Sequence, residues 1–423
     1  MQRRRFLQSL AAGLGPLAFS RDLSAWTPGR SAARITSITL AQVDGRFHKF
    51  VAMNAYDTRP KGHTYTNTLV RIATDAGVEG VGVMEYAAPD AAFVEAVRAL
   101  LGTDPAAAYV MQNGRMTGRA PALRTLLERY PHLDGPLFDL IGKLEGRPAW
   151  QLLGDAVRDS VELYDGTLYF ADMWFRDRGT RAVVEEAEEA VRMGYPALKI
   201  KIGRGWRWME RADGLQRDIE VINEVRRAIG PDTRILVDAN NGYDRDIEDA
   251  WRFLDGTQQS DVHFAEEMFT EDVAQYTRLR ERIAAAGMKT LIADGENMRT
   301  PDQFRPYLSP ERLVDVLQMD IRRGGFVSSL ELAALADAAG AVSVPHNWGS
   351  QIGLFMALHF ARAVPAATAA EDDRSTCDAV VADGYEFRNG HYTVSNAPGL
   401  GIHVDEATYA RKYRAGEQVI ASG

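Results

Sequence analysis

The strongest constraint on the fold of this 423-residue chain is a texture that begins at Val161. Short apolar runs at 161–165, 197–202, 234–239, 262–267, 290–294, 313–320, 341–345 and 366–371 read as strands. Helical periodicity fills the gaps near 180–194, 213–229, 246–255, 271–286, 301–308, 326–339 and 351–363. Strand and helix in alternation build a parallel sheet, because parallel strands need a long crossover between them. Eight such units close most economically into a (β/α)8 barrel. The doubly wound alternative wants spaced glycines after its first strand to cradle a nucleotide. The turn after Asp165-Gly166 lacks them.

In such a barrel the reacting groups gather at the C-terminal ends of the strands. Lys199 and Lys201 stand two apart in Leu198-Lys199-Ile200-Lys201-Ile202-Gly203, so both side chains leave the second strand on one face. Alone, such a pair is more often a solvated strand face. The other strand ends change its weight. Asp238 and Asn240 end the third run, Glu266 and Glu267 the fourth, and Glu296 follows the fifth. Asp320, His346 and Glu371 end the sixth, seventh and eighth. Any one of these reads as a surface charge or a helix cap; seven strand ends in register read as a site. Convergent carboxylates repel, so they either take up protons or recruit a cation. Asp238, Glu266 and Glu296 offer oxygen only, which selects a hard ion, Mg²⁺ over zinc or copper.

On these residues the sequence resembles the enolase superfamily, in its mandelate racemase-like subgroup. Trp150-Gln151-Leu152-Leu153-Gly154 before the barrel and Pro398-Gly399-Leu400-Gly401 after it extend the likeness along most of the chain. The resemblance implies an α/β fold: a modified TIM barrel with an N-terminal α+β capping domain that the C-terminal segment completes. It implies Mg²⁺ held by Asp238, Glu266 and Glu296, a small-molecule carboxylate substrate and a homo-oligomer. Lys201 would be the base on one substrate face, its pKa lowered by the neighbouring cation, and Lys199 would contact the carboxylate. His346 would act on the opposite face, oriented by Asp320. Glu371 would donate a hydrogen bond to the forming enolate. Two departures stand out. Met268 follows the paired glutamates where the family has proline, leaving Glu267 as an alternative to Glu266. Glu371-Asp372-Asp373 offers three acids, of which Glu371 comes first at the strand end.

Removing a proton α to a carboxylate makes an enediolate, whose charge a metal ion stabilises. Returning the proton to the other face racemises or epimerises a 2-hydroxy acid; delivering it to a β-hydroxyl expels water and leads to a 2-keto-3-deoxy acid. We expect the second outcome, a dehydratase of an acid sugar. An exported sugar-acid binding protein is the non-catalytic alternative, and it would need neither K-x-K nor the Asp320–His346 pair. The polar segment at 44–66 reads as a long loop between strands, of the kind that forms a functional lid, and its Arg59, Lys61 and His63 suit a polar or anionic substrate tail. Arg204, Trp206 and Trp348 are further candidate pocket residues, with Asn240 beside the ligands.

The first residues differ in kind. Arg3-Arg4-Arg5-Phe6-Leu7 before a short uncharged run has the layout of a twin-arginine export signal, expected over 1–25. The address would be the periplasm, or the cytoplasm if this leader is not functional. The capping domain is expected over 34–155, the barrel over 156–378 and the returning segment over 379–423. The net charge of −9, without a basic stripe beyond the leader, argues against nucleic acid. One cysteine, Cys377, excludes an intrachain disulfide and a cysteine-rich metal site. No later stretch approaches a membrane span.

Overall fold

The computed structural model describes residues 33–84 and 89–421, so the expected leader lies outside the described residues. Three antiparallel strands, Ile35–Val51, Gly62–Thr74 and Glu79–Met84, pair in that order. Most of the expected 44–66 loop is strand, with Gly45 opposite Tyr65 and Arg46 opposite Thr64. Its charges hid a period of two: Val43, Gly45 and Phe47 are buried while Asp44, Arg46 and His48 are exposed. Only 52–61 connects the strands. The helix Asp134–Glu145 packs on Glu79–Met84. Ser375–Cys377 and Gln418–Ala421 both pair with the first strand, so the C-terminal segment does complete this capping sheet. The late hairpin Glu386–Arg388 with His391–Thr393 goes elsewhere. Its second strand pairs antiparallel with Ser160–Glu162, at the barrel, instead of returning to the capping sheet.

The barrel strands are β1 (Ser160–Leu168), β2 (Ala197–Lys201), β3 (Arg234–Asp238) and β4 (Val262–Glu266). They continue as β5 (Leu291–Asp294), β6 (Val316–Leu317), β7 (Val342–Ser343) and β8 (Ala369–Asp372). Each pairs in parallel with the next through β7, and β8 pairs in parallel with β1. A parallel bridge from Ser343 to Ala367 joins β7 to the residues leading into β8. Helices α1 (Arg181–Arg192), α2 (Arg211–Ile229), α3 (Ile247–Gly256) and α4 (Val273–Ala285) follow the first four strands. After them come α5 (Pro301–Leu308), α6 (Ile321–Ala338) and α7 (Gln351–Ala363). β6 is much shorter than the expected 313–320. Asp315 turns to accept from the Ile292 amide, and Asp320 accepts from the Arg323 amide as the cap of α6, so polar residues end the ladder on both sides. α6 therefore starts earlier than expected, and Gly325 at φ +77 breaks its first turns.

The period of two positions the site. Tyr164, Ala197, Leu236, Phe264, Ala293, Val316 and Val344 fill the barrel interior as one apolar cluster. Two residues further on, the inward positions fall to Gly166, Lys199, Asp238, Glu266, Gln318 and His346. The alternate residues of β2 and the residue after it, Leu198, Ile200 and Ile202, are fully buried in the larger core. Each such side chain contributes roughly 1.5–3 kcal/mol of burial. That outward packing holds two lysines inside a barrel. Gly166 leaves the space that Glu371 occupies: a Cβ there would lie 2.4 Å from Glu371 Oε1. Among the described residues no helix is long and apolar enough to cross a membrane.

Candidate active site

Lys199 is 0% exposed, and its Nζ lies 2.9 Å from Glu266 Oε2, 2.8 Å from Glu371 Oε1 and 3.5 Å from Asp238 Oδ2. Lys201 Nζ donates to Asp238 Oδ2. The two ammonium groups also sit over rings, Lys199 on Tyr164 at 5.4 Å and Lys201 on Tyr169 at 5.2 Å. Burial works to neutralise both lysines. For Lys199 the Glu266 and Glu371 carboxylates outweigh it, and for Lys201 Asp238 does, so both are held above the usual lysine range.

The imidazole of His346 stands across the mouth. Its Nδ1 lies 3.0 Å from Asp320 Oδ2 and its Nε2 3.2 Å from Glu296 Oε2. Placing the proton on Nδ1 lets it donate to Asp320 and turns Nε2 toward the site. Burial opposes a charged ring, but Glu296 and the hydrogen bond to Asp320 prevail and raise the pKa. Asp320 is buried, yet Arg322 and His346 hold it well below the usual carboxylate range.

Asp238, Glu267 and Glu296 each offer a carboxylate oxygen within 4.8 Å of the others, and all three are buried. Glu266, the expected third ligand, is not in this set. Its Oε2 accepts from Lys199 and, at 3.1 Å, from Gln318 Nε2. Glu267 follows the end of β4 with φ +43, a left-handed turn that a glutamate rarely adopts. Its Oε2 accepts from Asn240 Nδ2 at 2.9 Å and its Oε1 from Asn297 Nδ2 at 2.8 Å. Burial pushes Glu266 up to about 8 against the pull of Lys199. It raises Glu267 well above the carboxylate range, with Glu296 and Asp238 adding to the effect. Glu266 Oε1 is buried without a hydrogen-bond donor. Crowded, raised carboxylates with an unpartnered oxygen and no soft donor are what a hard divalent cation such as Mg²⁺ resolves.

The outer candidates divide. Asn240 lies among the ligands, its amide nitrogen donating to Asp238 Oδ1 at 2.8 Å. Trp348 stacks between Phe47 at 4.9 Å and Tyr169 at 4.7 Å, joining the capping sheet to the barrel. Trp206 is half-buried under Arg245, 4.8 Å from its ring. Lys61 pairs with Asp57 at 2.8 Å, and His63 is exposed at the edge of the Phe50 ring. Arg59 borders a groove of about 400 Å³ that Met53, Met173, Trp174, Arg176 and Trp208 also line. Arg204 does not form a pocket wall. It is 0% exposed and locked to Asp172 and Asp218, each at 2.7 Å, because the turn after β2 folds it beneath the mouth. Sequence reasoning missed Gln318, although it lies two residues past the inward Val316 and the phase of β6 marks it. It also missed Asn54, fully buried in the 52–61 segment, whose Nδ2 donates to Asn240 Oδ1 at 2.9 Å. No local signal marks Asn54.

The parallel eight-stranded barrel thus carries convergent carboxylates, paired lysines and a His–Asp dyad at its mouth. Residues 182–408 match the family model for the enolase C-terminal domain-like fold, and the chain belongs to the enolase superfamily. It is 33% identical over 359 residues to the D-galactarolactone cycloisomerase of Agrobacterium fabrum, spanning 80% of this chain and 89% of that one. Against the D-xylonate dehydratase of Haloferax volcanii it is 26% identical over 414 residues, spanning 91% and 92%. Among solved structures, a mutant galacturonate dehydratase from Geobacillus sp., complexed with Mg, superposes with a TM-score of 0.80. Identity there is 28%, covering 94% of this chain and 99% of the other.

Proposed function

We propose that this protein dehydrates a sugar-derived carboxylic acid to a 2-keto-3-deoxy acid, with Mg²⁺ as cofactor. The observation that carries the reading is the opposition of two proton carriers across one carboxylate cluster. Lys201 reaches it from β2 and His346 from the end of β7, each touching a different member of the Asp238–Glu267–Glu296 set. These three carboxylates would hold the cation, with Glu266 beside them. When bound, it supplies positive charge that offsets the carboxylates and the charge developing on the substrate's acid oxygens. Lys199 orients the substrate carboxylate. Lys201 Nζ must first give up the proton that Asp238 holds on it; as the neutral amine it takes the α-proton, and Glu371 faces the acid oxygen on which charge collects. His346, charged and held by Asp320 through its Nδ1–H, delivers its Nε2 proton to the β-hydroxyl. That C–O bond breaks, water leaves, and the enol tautomerises to the keto acid. Arg59 and Arg176, at the groove beside the 52–61 segment, favour an anionic or polyhydroxylated tail over an apolar one.

A second reading, cycloisomerisation of a sugar-acid lactone, has support from the 33% match to a D-galactarolactone cycloisomerase. It uses the same α-proton step and differs in the leaving oxygen, a ring oxygen in place of a hydroxyl. Racemisation or epimerisation would use the same residues with no bond to oxygen broken. One experiment separates these: incubate the purified protein and Mg²⁺ with acid sugars and their lactones in D₂O, then read products by NMR. Keto-deoxy products from open acids support dehydration, and lactone consumption without water loss supports the cycloisomerase. Exchange without a new product supports the racemase; binding with neither exchange nor product would sink every enzymatic reading. We propose in addition that residues 1–25 export the chain to the periplasm and that it works as a homo-oligomer. Cell fractionation and sedimentation test these two points.

A further inference from the structure

The 52–61 segment does more than border the mouth. Its backbone is pinned to the barrel: the Phe170 amide donates to Met53 O at 2.9 Å, and Trp208 Nε1 to Asn54 O at 2.8 Å. Ala55 presses on the turns after β2 and β3, where a Cβ at Gly203 or Gly242 would come within 3.1 Å of the Ala55 Cβ. Only glycine admits this approach. At its centre Asn54 is 0% exposed and uses both ends of its amide. Its Oδ1 accepts from the Asp57 amide at 3.1 Å, and its Nδ2 donates to Asn240 Oδ1 at 2.9 Å. Asn240 in turn donates its Nδ2 to Glu267 Oε2 at 2.9 Å and its backbone amide to Asp238 Oδ1 at 2.8 Å. Asn240 holds φ +43, so its backbone is committed to this one arrangement.

We propose that Asn54 is a positioning residue for the cation site, acting through Asn240 on Glu267, so that the capping segment and the metal ligands form one mechanical unit. The inference rests on Asp238, Glu267 and Glu296 holding the cation. The direction of each bond is fixed by chemistry. Glu267 as a carboxylate only accepts, so Asn240 must present its NH₂ to it and its carbonyl to Asn54. Asn54 must then donate. Bonds behind a ligand fix its orientation, and losing one typically costs 10–100-fold in metal affinity. Asn54 lies one bond further out, so the lower end of that range applies.

The test is Mg²⁺ titration of the full chain by calorimetry, with wild type, Asn54→Ala, Asn240→Ala and the double variant. Asn54→Ala is expected to weaken Mg²⁺ about tenfold. The double variant is expected to bind no more weakly than Asn240→Ala, because the two act in series. Additive losses, or an Asn54→Ala affinity within twofold of wild type, would overturn the relay. Asn54→Asp serves if the alanine variant does not fold. It adds negative charge near a cation, which simple electrostatics reads as tighter binding. The relay demands weaker binding, because a carboxylate cannot donate to Asn240. Tighter Mg²⁺ binding by Asn54→Asp would also overturn the proposal. Failure of wild type to bind Mg²⁺ would overturn both this inference and the cation site beneath it. Wild-type binding with unaffected variants would overturn the relay alone.

Discussion

Two buried clusters of cations and carboxylates lie within a few residues of each other along β2 and the turn after it, and they differ in balance. Arg204 lies between Asp172 and Asp218, and its Nε, Nη1 and Nη2 all reach carboxylate oxygens. Asp218 also accepts from the Gly203 amide and from Tyr243. The planar guanidinium meets its acids on several fixed donors, and the cluster is closed. At the mouth, Lys199 and Lys201 face Asp238, Glu266, Glu267, Glu296 and Glu371. There the acids outnumber the ammonium groups, Glu266 and Glu267 are pushed up, and Glu266 Oε1 has no donor. Burial is alike in the two places, but the charge balance is not: Asp172 and Asp218 face Arg204 and Arg217, two acids against two guanidinium groups. Surplus carboxylate and an unpartnered oxygen set the mouth apart.

The largest effect should come from breaking the mouth without touching the closed cluster. Lys201→Ala should cut turnover by roughly 10³-fold or more, since it removes a positioned base. Exchange of the α-proton should vanish from one substrate face and survive on the face served by His346. Stereospecific NMR in D₂O reads this directly. Undiminished exchange on both faces would show that Lys201 is not the base.

Arg204→Leu is the converse. It should leave the ligands in place but strand two buried aspartates, at a cost of about 3–5 kcal/mol. Thermal and denaturant unfolding would register that loss, while the activity per folded molecule stays near wild type. Equal stability would mean that the closed cluster is not a structural one.

A smaller effect distinguishes the clusters by pH. Glu266 is pushed up to about 8, chiefly by burial, from an ordinary 4.5. Between those values the folded protein holds a proton that the unfolded chain has released, so metal-free stability should fall as pH rises from 4.5 to 8. A tenfold difference in proton affinity between the folded and unfolded chain corresponds to about 1.4 kcal/mol. Glu266→Gln should make that slope shallower, whereas Arg204→Leu should make it steeper, because Asp172 and Asp218 lose the cation that opposes their burial. Chemical unfolding across this range in the presence of a chelator measures both.

The sequence made one of these clusters legible and misread the other, for a physical reason. Lys199, Asp238, Glu266 and His346 obey strand phase, and phase can be read along a single run of residues. Arg204 sits just past the strand, where phase lapses and direction depends on partners at 172 and 218. Nothing local distinguishes a loop arginine that faces substrate from one that is folded under. The same gap hid Asn54, which acts through a contact 186 residues away. The 44–66 segment failed differently, because its exposed charges on alternate residues looked like loop composition when they were the outer face of a strand.

Glu266 and Glu267 give the finest contrast, being neighbours on opposite sides of a strand end. Glu266 is in phase with β4 and meets Lys199; Glu267 turns with φ +43 toward Asp238 and Glu296. If surplus carboxylate marks the cation site, the residue that completes the triad should matter more for metal than the one already paired with an ammonium. Glu267→Gln should therefore weaken Mg²⁺ binding by about 10–100-fold. Glu266→Gln should weaken it less and act chiefly on substrate, by releasing Lys199 from one of its acids. Calorimetric Mg²⁺ titrations of both variants, beside their KM values, measure the two effects separately. A larger metal defect in Glu266→Gln would mean that the unpartnered Oε1 turns onto the cation once it binds. The ligand would then follow strand phase, and Glu267 would become the residue that shapes the turn.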